Sequence, residues 1–166
     1  IKIIDSFISN QKENLIILTS IGRIFKFNLS DKFITPSTKQ SQGLMLAKLL
    51  PNEKIVSCCP FENNENIYLI SKQGKIFYLE NKEIYYANEC TLGYLNEKTQ
   101  LKNDFFLKIF PSNNYLDIET NKNKFARLDV DRLNCKSNKI NFLIDFLKLD
   151  KSENIENCFK IEKNLN

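Results

Sequence analysis

The chain has 166 residues, of which 42% are hydrophobic and 27% charged, and a formal net charge of +4. That balance supports one buried core and excludes a disordered chain; no run reaches the roughly 18 apolar residues a membrane-crossing helix needs, so a soluble globular protein is expected. With no His, imidazole general-base chemistry and the usual His-containing zinc sites are excluded.

The opening stretch, "IKIIDSFISNQKEN", lacks a basic region followed by a long apolar core, so nothing in it directs the chain to a membrane or to export. It carries no initiator Met and reads as mid-domain, the last strand of a preceding unit. The chain is therefore expected to be a piece of something longer. Residues 14–29, "NLIILTSIGRIFKFNL", form a β-branched and aromatic run broken by Ser20-Ile21-Gly22, which predicts a hairpin; a Gly in so short a turn supplies the positive φ it requires. A near copy follows in "NIYLISKQGKIFYLEN", turning through Lys72-Gln73-Gly74. A third, "DIETNKNKFARL", turns through Asn121-Lys122-Asn123, and Asn is the next best residue for a left-handed turn position.

Downstream of each hairpin a second feature recurs: "GLMLAKLLPNEKIVSCC" from Gly43, "GYLNEKTQLKNDFFLKIF" from Gly93 and "FLIDFLKLDKSENIENCFKI" from Phe142. The chain thus reads as a single domain or fragment, 1–166, with repeats at about 10–60, 61–112 and 113–163. No segment keeps a convincing helical period, and "NFLIDFLKL" at 141–149 is the one stretch that could be mistaken for helix. Repeats of this length with several short strands predict an all-β, propeller-like architecture. Leu15, Ile17, Ile67, Leu69, Leu116 and Ile118 on the first strands, and Ile24, Ile76 and Phe125 on the return strands, stay apolar in all copies and are expected in the core.

The repeated "T-x-x-G-(R/K)-x-x-(K/R)", followed by a Gly with an apolar "LMLAKL" segment and then "NEKIV" or "NDFFL", resembles the blade of the β-pinwheel, the C-terminal domain of the A subunit of DNA gyrase and topoisomerase IV. The resemblance covers Asn14 to about Lys160. It implies a disc of propeller-like blades that exchange strands and whose basic rim binds and bends duplex DNA, in a domain without catalytic chemistry of its own, accessory to an ATP-dependent type IIA topoisomerase. It implies as partners double-stranded DNA, the rest of the A subunit and the ATPase subunit, with no cofactor, no metal and no membrane. The location implied is the cytoplasm, at the nucleoid, or an organelle with its own genome. Three repeats are too few to close the family's disc, so a larger disc is expected. The glutamine-arginine-glycine-rich box of gyrase wrapping domains is missing, which leaves open a topoisomerase IV type subunit, a degenerate gyrase, or a fragment that excludes the box.

The motif assigns DNA-binding positions residue by residue. Arg23, Lys75 and Lys124 follow the turns; Lys26 and Arg127 close the second strand, where the middle copy has Tyr78; Lys39, Lys136 and Lys139 precede the downstream features. Physically, a curved surface repeating one cation per blade can follow regularly spaced phosphates without reading bases. The alternative is that these cations are a solvated face of a scaffold that binds protein or carbohydrate. The charge signal is moderated by composition: 21 Lys against 3 Arg, with 22 Asn, fits a codon bias, and the basic excess lies mostly in the first third.

Other features carry less. Cys58, Cys59, Cys90, Cys135 and Cys158 are odd in number and scattered, and read as reduced thiols serving as small core residues. "SKQGKIF" lacks the first Gly and the Ser or Thr of a phosphate-cradling loop. Tyr85-Tyr86 reads as core or rim packing rather than a nucleophile. Asp129 and Asp131 read as flanking a turn, with a cation site as the alternative.

Overall fold

The computed structural model describes residues 2–8, 14–30, 40, 43–87, 92–95, 101–133, 140–142, 149–150 and 152–163. In chain order the strands are β1 (Asn14–Thr19), β2 (Arg23–Asn28), β3 (Ile55–Phe61), β4 (Ile67–Ser71), β5 (Lys75–Leu79), β6 (Tyr94–Leu95), β7 (Phe106–Pro111), β8 (Asn114–Thr120), β9 (Phe125–Asp129), β10 (Ile140–Phe142) and β11 (Ile155–Glu162). They form three antiparallel sheets, ordered β3-β1-β2-β6, β10-β5-β4-β7 and β11-β8-β9. This is the all-β, blade-like architecture expected from the repeats.

Each sheet is built on one of the three hairpins. Gly22, Gly74 and Asn123 have φ of 89°, 78° and 58°, the left-handed conformation expected of them. Their amides donate to the carbonyls of Thr19, Ser71 and Thr120, each at 3.0 Å, closing the turns. A third strand then pairs with the first strand of each hairpin, and one residue is extra at the same place in each case: Val56, Leu107 and Glu156 sit where the register slips beside Thr19, Ser71 and Thr120. Such bulges bend a strand and re-aim its neighbours.

The fourth strands cross between units. β6 lies in the second repeat of the sequence but pairs with β2 of the first sheet, Arg23 with Leu95; β10 lies in the third repeat and pairs with β5 of the second. Sheets are therefore offset from sequence repeats by one strand. Among the described residues the third sheet has no fourth strand.

The sheets stack face to face. Ile16, Leu18 and Ile24 of the first sheet pack with Ile67, Leu69, Phe77 and Leu79 of the second. Tyr68, Ile70 and Ile76 on the opposite face of the second pack with Leu116, Ile118 and Leu128 of the third. On its remaining face the first sheet carries Leu15, Ile17, Phe25 and Phe27, with Leu46, Ala47 and Ala87 against them. Gly22 packs closely against the second sheet: a Cβ there would stand 2.7 Å from the Phe106 ring, so this turn position can carry no side chain unless that ring moves.

Eight of the nine apolar positions expected in the core are buried, with Leu15, the most exposed, at 8%. Phe125 corrects the ninth: it is 73% exposed, because the third sheet turns that face to solvent. Cys59 is buried, and Cys58 and Cys158 are half-buried free thiols. Burial pushes them up to about 12, 11 and 12 respectively, which keeps them protonated.

Candidate nucleic-acid interface

The cation after each turn meets a carboxylate supplied by the loop before the third strand. Arg23 pairs with Glu53, Lys75 with Asp104 at 3.4 Å, and Lys124 with Glu153 at 2.9 Å. Around each pair the hydrogen bonds repeat. Thr19 Oγ1, Ser71 Oγ and Thr120 Oγ1 accept from the amides of Arg23, Lys75 and Lys124. Ser71 and Thr120 also donate to Asp104 and Glu153, both at 2.6 Å. The turn amides of Ser20, Lys72 and Asn121 donate to the carbonyls of Lys54, Phe105 and Asn154, the residues that follow the acids. Turn, cation and acidic loop thus form one recurring lock.

The electrostatics follow from this geometry. Burial pushes the Glu53 carboxyl up, but the Arg23 guanidinium, the Leu50 amide and the Thr19 hydroxyl outweigh it and hold it at about 2. Glu153 also lies at about 2, held there by the Thr120 hydroxyl and the Lys124 ammonium. Arg23 donates further to the carbonyls of Leu92 and Lys48 and is 4% exposed. All of its bonding capacity faces the protein.

Lys26 is 5% exposed, because it shares a face with Ile16, Leu18 and Ile24 and so enters the space between sheets. Its ammonium donates to Asn81 Oδ1 at 2.5 Å and the Ile84 carbonyl at 3.3 Å, and lies 4.3 Å from the Tyr86 ring centroid. Burial lowers its pKa. Tyr86 bonds Asn14 through its hydroxyl, and Tyr85 meets the Tyr94 ring edge-on; both tyrosines are exposed. Arg127 is exposed and forked onto Asp117 at 2.6 and 2.7 Å across the third sheet. Lys39, Lys136 and Lys139 lie outside the described residues. Asp129 caps a 3-10 turn at Val130–Arg132 that contains Asp131, and the two carboxylates accept together from Lys163.

Sequence reasoning placed the three turn cations together but missed their acids, Glu53, Asp104 and Glu153. The signal was present: an acid stands 30, 29 and 29 residues after each cation.

The locks gather the hairpin tips along one edge. Ile155 of the third sheet donates its amide to Lys72 in the second turn at 2.8 Å, and Gly22 of the first turn abuts Phe106, which pairs with Ser71. With the lock acids neutralised, what this edge presents to solvent is mostly basic: Lys48, Lys54, Lys72, Lys102 and Lys122 are exposed, against Asp150, which pairs with Lys122 at 3.0 Å, and Glu156. The opposite edge carries Glu62, Glu65, Glu80, Glu83, Asp131 and Glu162 against Lys82, Arg132 and Lys163. Charge is therefore polarised across the stack. No group of acidic residues and Cys among the described residues is arranged to hold a metal ion, and no helix there is long and apolar enough to cross a membrane.

No family model and no curated protein matches the chain. Solved structures do. The C-terminal domain of DNA topoisomerase IV superposes over 92% of this chain with a TM-score of 0.71 at 13% identity. The E. coli ParC C-terminal domain covers 93% at 0.60 and 14%, and the DNA gyrase A C-terminal domain 92% at 0.54 and 14%. The chain spans 47%, 64% and 67% of those three in turn. At such identity the likeness is one of fold: this chain has the β-pinwheel fold of these domains.

Proposed function

We propose that the chain is a DNA-binding and DNA-bending domain of a type IIA topoisomerase A subunit, non-catalytic itself and working with the remainder of that subunit and its ATPase partner. The observation that carries this reading is the basic hairpin-tip edge on a pinwheel fold. Lys48, Lys54, Lys72, Lys102 and Lys122 project from successive tips and loops, while the acids beneath them are consumed in locks. A row of ammonium groups fixed at blade spacing releases counterions from a duplex wherever the backbone passes, independent of sequence, and rewards a duplex that curves along it. Lys124 and Arg127 border this row, and Lys39, Lys136 and Lys139 belong to the same proposal from outside the described residues. Arg23 and Lys75 serve it by holding the tips in place, and Lys26 by tying the first sheet to Asn81 and Ile84 away from the tips. Work on DNA would put the protein at a bacterial nucleoid or in an organelle with its own genome.

The test is duplex binding against salt for the parent and for Lys72→Glu with Lys102→Glu. Affinity should fall for every duplex sequence alike, and the salt slope should drop by about one unit for each phosphate that is no longer neutralised. Unchanged affinity and slope with the fold intact would transfer the function elsewhere. A scaffold role would then gain from the third sheet's outer face, where Phe125, Phe159 and Arg127 line a shallow cavity of about 400 Å³.

A further inference from the structure

At the middle of the basic edge stands Phe105, 61% exposed. Its place in the lock is filled in the other units by Lys54 and Asn154, whose carbonyls accept the same turn amides, at 2.8 and 3.0 Å, as the Phe105 carbonyl does at 2.8 Å. The fold therefore asks nothing aromatic of this position. Burial does not explain the ring either, since it is exposed, as are Lys72, whose amide bonds the Phe105 carbonyl, and Lys102 in the same loop.

The backbone beneath the ring is rigid. The Phe105 amide donates to Asp104 Oδ1 at 2.8 Å, and that carboxylate also accepts from the Gln73 amide at 3.1 Å and the Ser71 hydroxyl at 2.6 Å. The Gln73 side chain donates to the Asn103 carbonyl at 2.8 Å, tying the loop to the turn from the other side. An apolar side chain can open a base step only if its own backbone does not yield first.

We propose that Phe105 is a wedge: it inserts between adjacent base pairs of a bound duplex and kinks it at the middle unit, while lysines on either side hold the flanking phosphates. Apolar wedges on a phosphate-binding surface unstack single steps and concentrate a bend there. The step chosen is the most easily unstacked, so binding favours a pyrimidine–purine step such as TA at the centre of the site. This rests on the DNA-binding reading above and adds to it a local kink with a sequence preference, which phosphate binding alone does not produce.

The experiment uses this chain with a duplex of about 40 base pairs, short enough to stay straight unless kinked. It carries donor and acceptor dyes at its ends and 2-aminopurine beside a central TA step. Parent protein should raise both energy transfer and 2-aminopurine fluorescence. Phe105→Asn, which copies the third unit, should lose both signals and about tenfold in affinity while keeping the salt slope. Phe105→Leu, still able to wedge, should retain most of each. Parent-like signals in Phe105→Asn would overturn the wedge and leave DNA binding standing, as would parent binding without any 2-aminopurine response. No binding by the parent would remove both readings. Thermal midpoints of the variants equal to the parent's would confirm that the fold is unaltered.

Discussion

The first and third sheets follow one plan and live in different surroundings. Every residue of β1 is buried, so both faces of the first sheet are interior; β8 buries only alternate residues. At matching positions the first sheet puts Ile16, Leu18, Ile24 and Lys26 between sheets, and the third puts Asp117, Glu119, Phe125 and Arg127 toward solvent. The locks follow the same gradient. Their acids have side chains 1%, 0% and 0% exposed, yet the cations go from 5% through 19% to 49%. A repeat therefore sets its own hydrogen bonds, while its neighbours decide how dry those bonds are.

This contrast can be broken most sharply at the locks. Arg23→Ala leaves the Glu53 carboxylate buried without its cation and should cost about 3–5 kcal/mol in urea unfolding. Lys124→Ala should cost distinctly less, because about half of that side chain already meets water. Equal losses would mean that neighbouring sheets do not set the strength of a lock.

One repeat position separates the sheets almost as well. Ile24→Ala should cost about 2–5 kcal/mol, since the methylenes it removes are fully interior. At the equivalent place in the third unit, Phe125→Ala should stay within about 0.5 kcal/mol. A large loss there would show that the outer face is covered in solution.

Acid treats the two end units alike. Glu53 and Glu153 ionise at about 2 when folded, below their ordinary 4.5, so the unfolded chain binds protons first as pH falls. Their contribution is complete above pH 4.5 and is lost progressively toward pH 2. Glu53→Gln should reduce the slope of stability against pH in that window by about one proton. An unchanged slope would mean that the first lock does not hold its acid ionised. The smallest effect is expected from Asp117→Asn, which removes the exposed fork to Arg127 and should change stability by under about 1 kcal/mol.

The hairpins were legible because their signals are local: Gly22, Gly74 and Asn123 dictate turns whatever surrounds them. Faces were not. Ile24 and Lys26 alternate with Phe25 and Phe27 as if one side were wet, but a sheet between two neighbours has no wet side, and Lys26 is buried through its bonds to Asn81 and Ile84. Phe125 failed in the opposite sense, because apolar character at a repeat position does not reveal whether a neighbour covers it. The turn cations were recognised as a recurring set, and their partners, 29 or 30 residues further on, became visible only once the chain had folded back.

The crossing of β6 onto β2 also has a consequence in time. A chain made from its N-terminus presents the first hairpin early, yet the outer edge of that hairpin stays unpaired until Leu95 has been synthesised and has returned to Arg23. The second waits in the same way for the strand at 140–142. At every stage of synthesis the newest unit carries an unfinished edge that the next closes, so a ribosome halted before Leu95 holds out a bare strand able to pair with any neighbour.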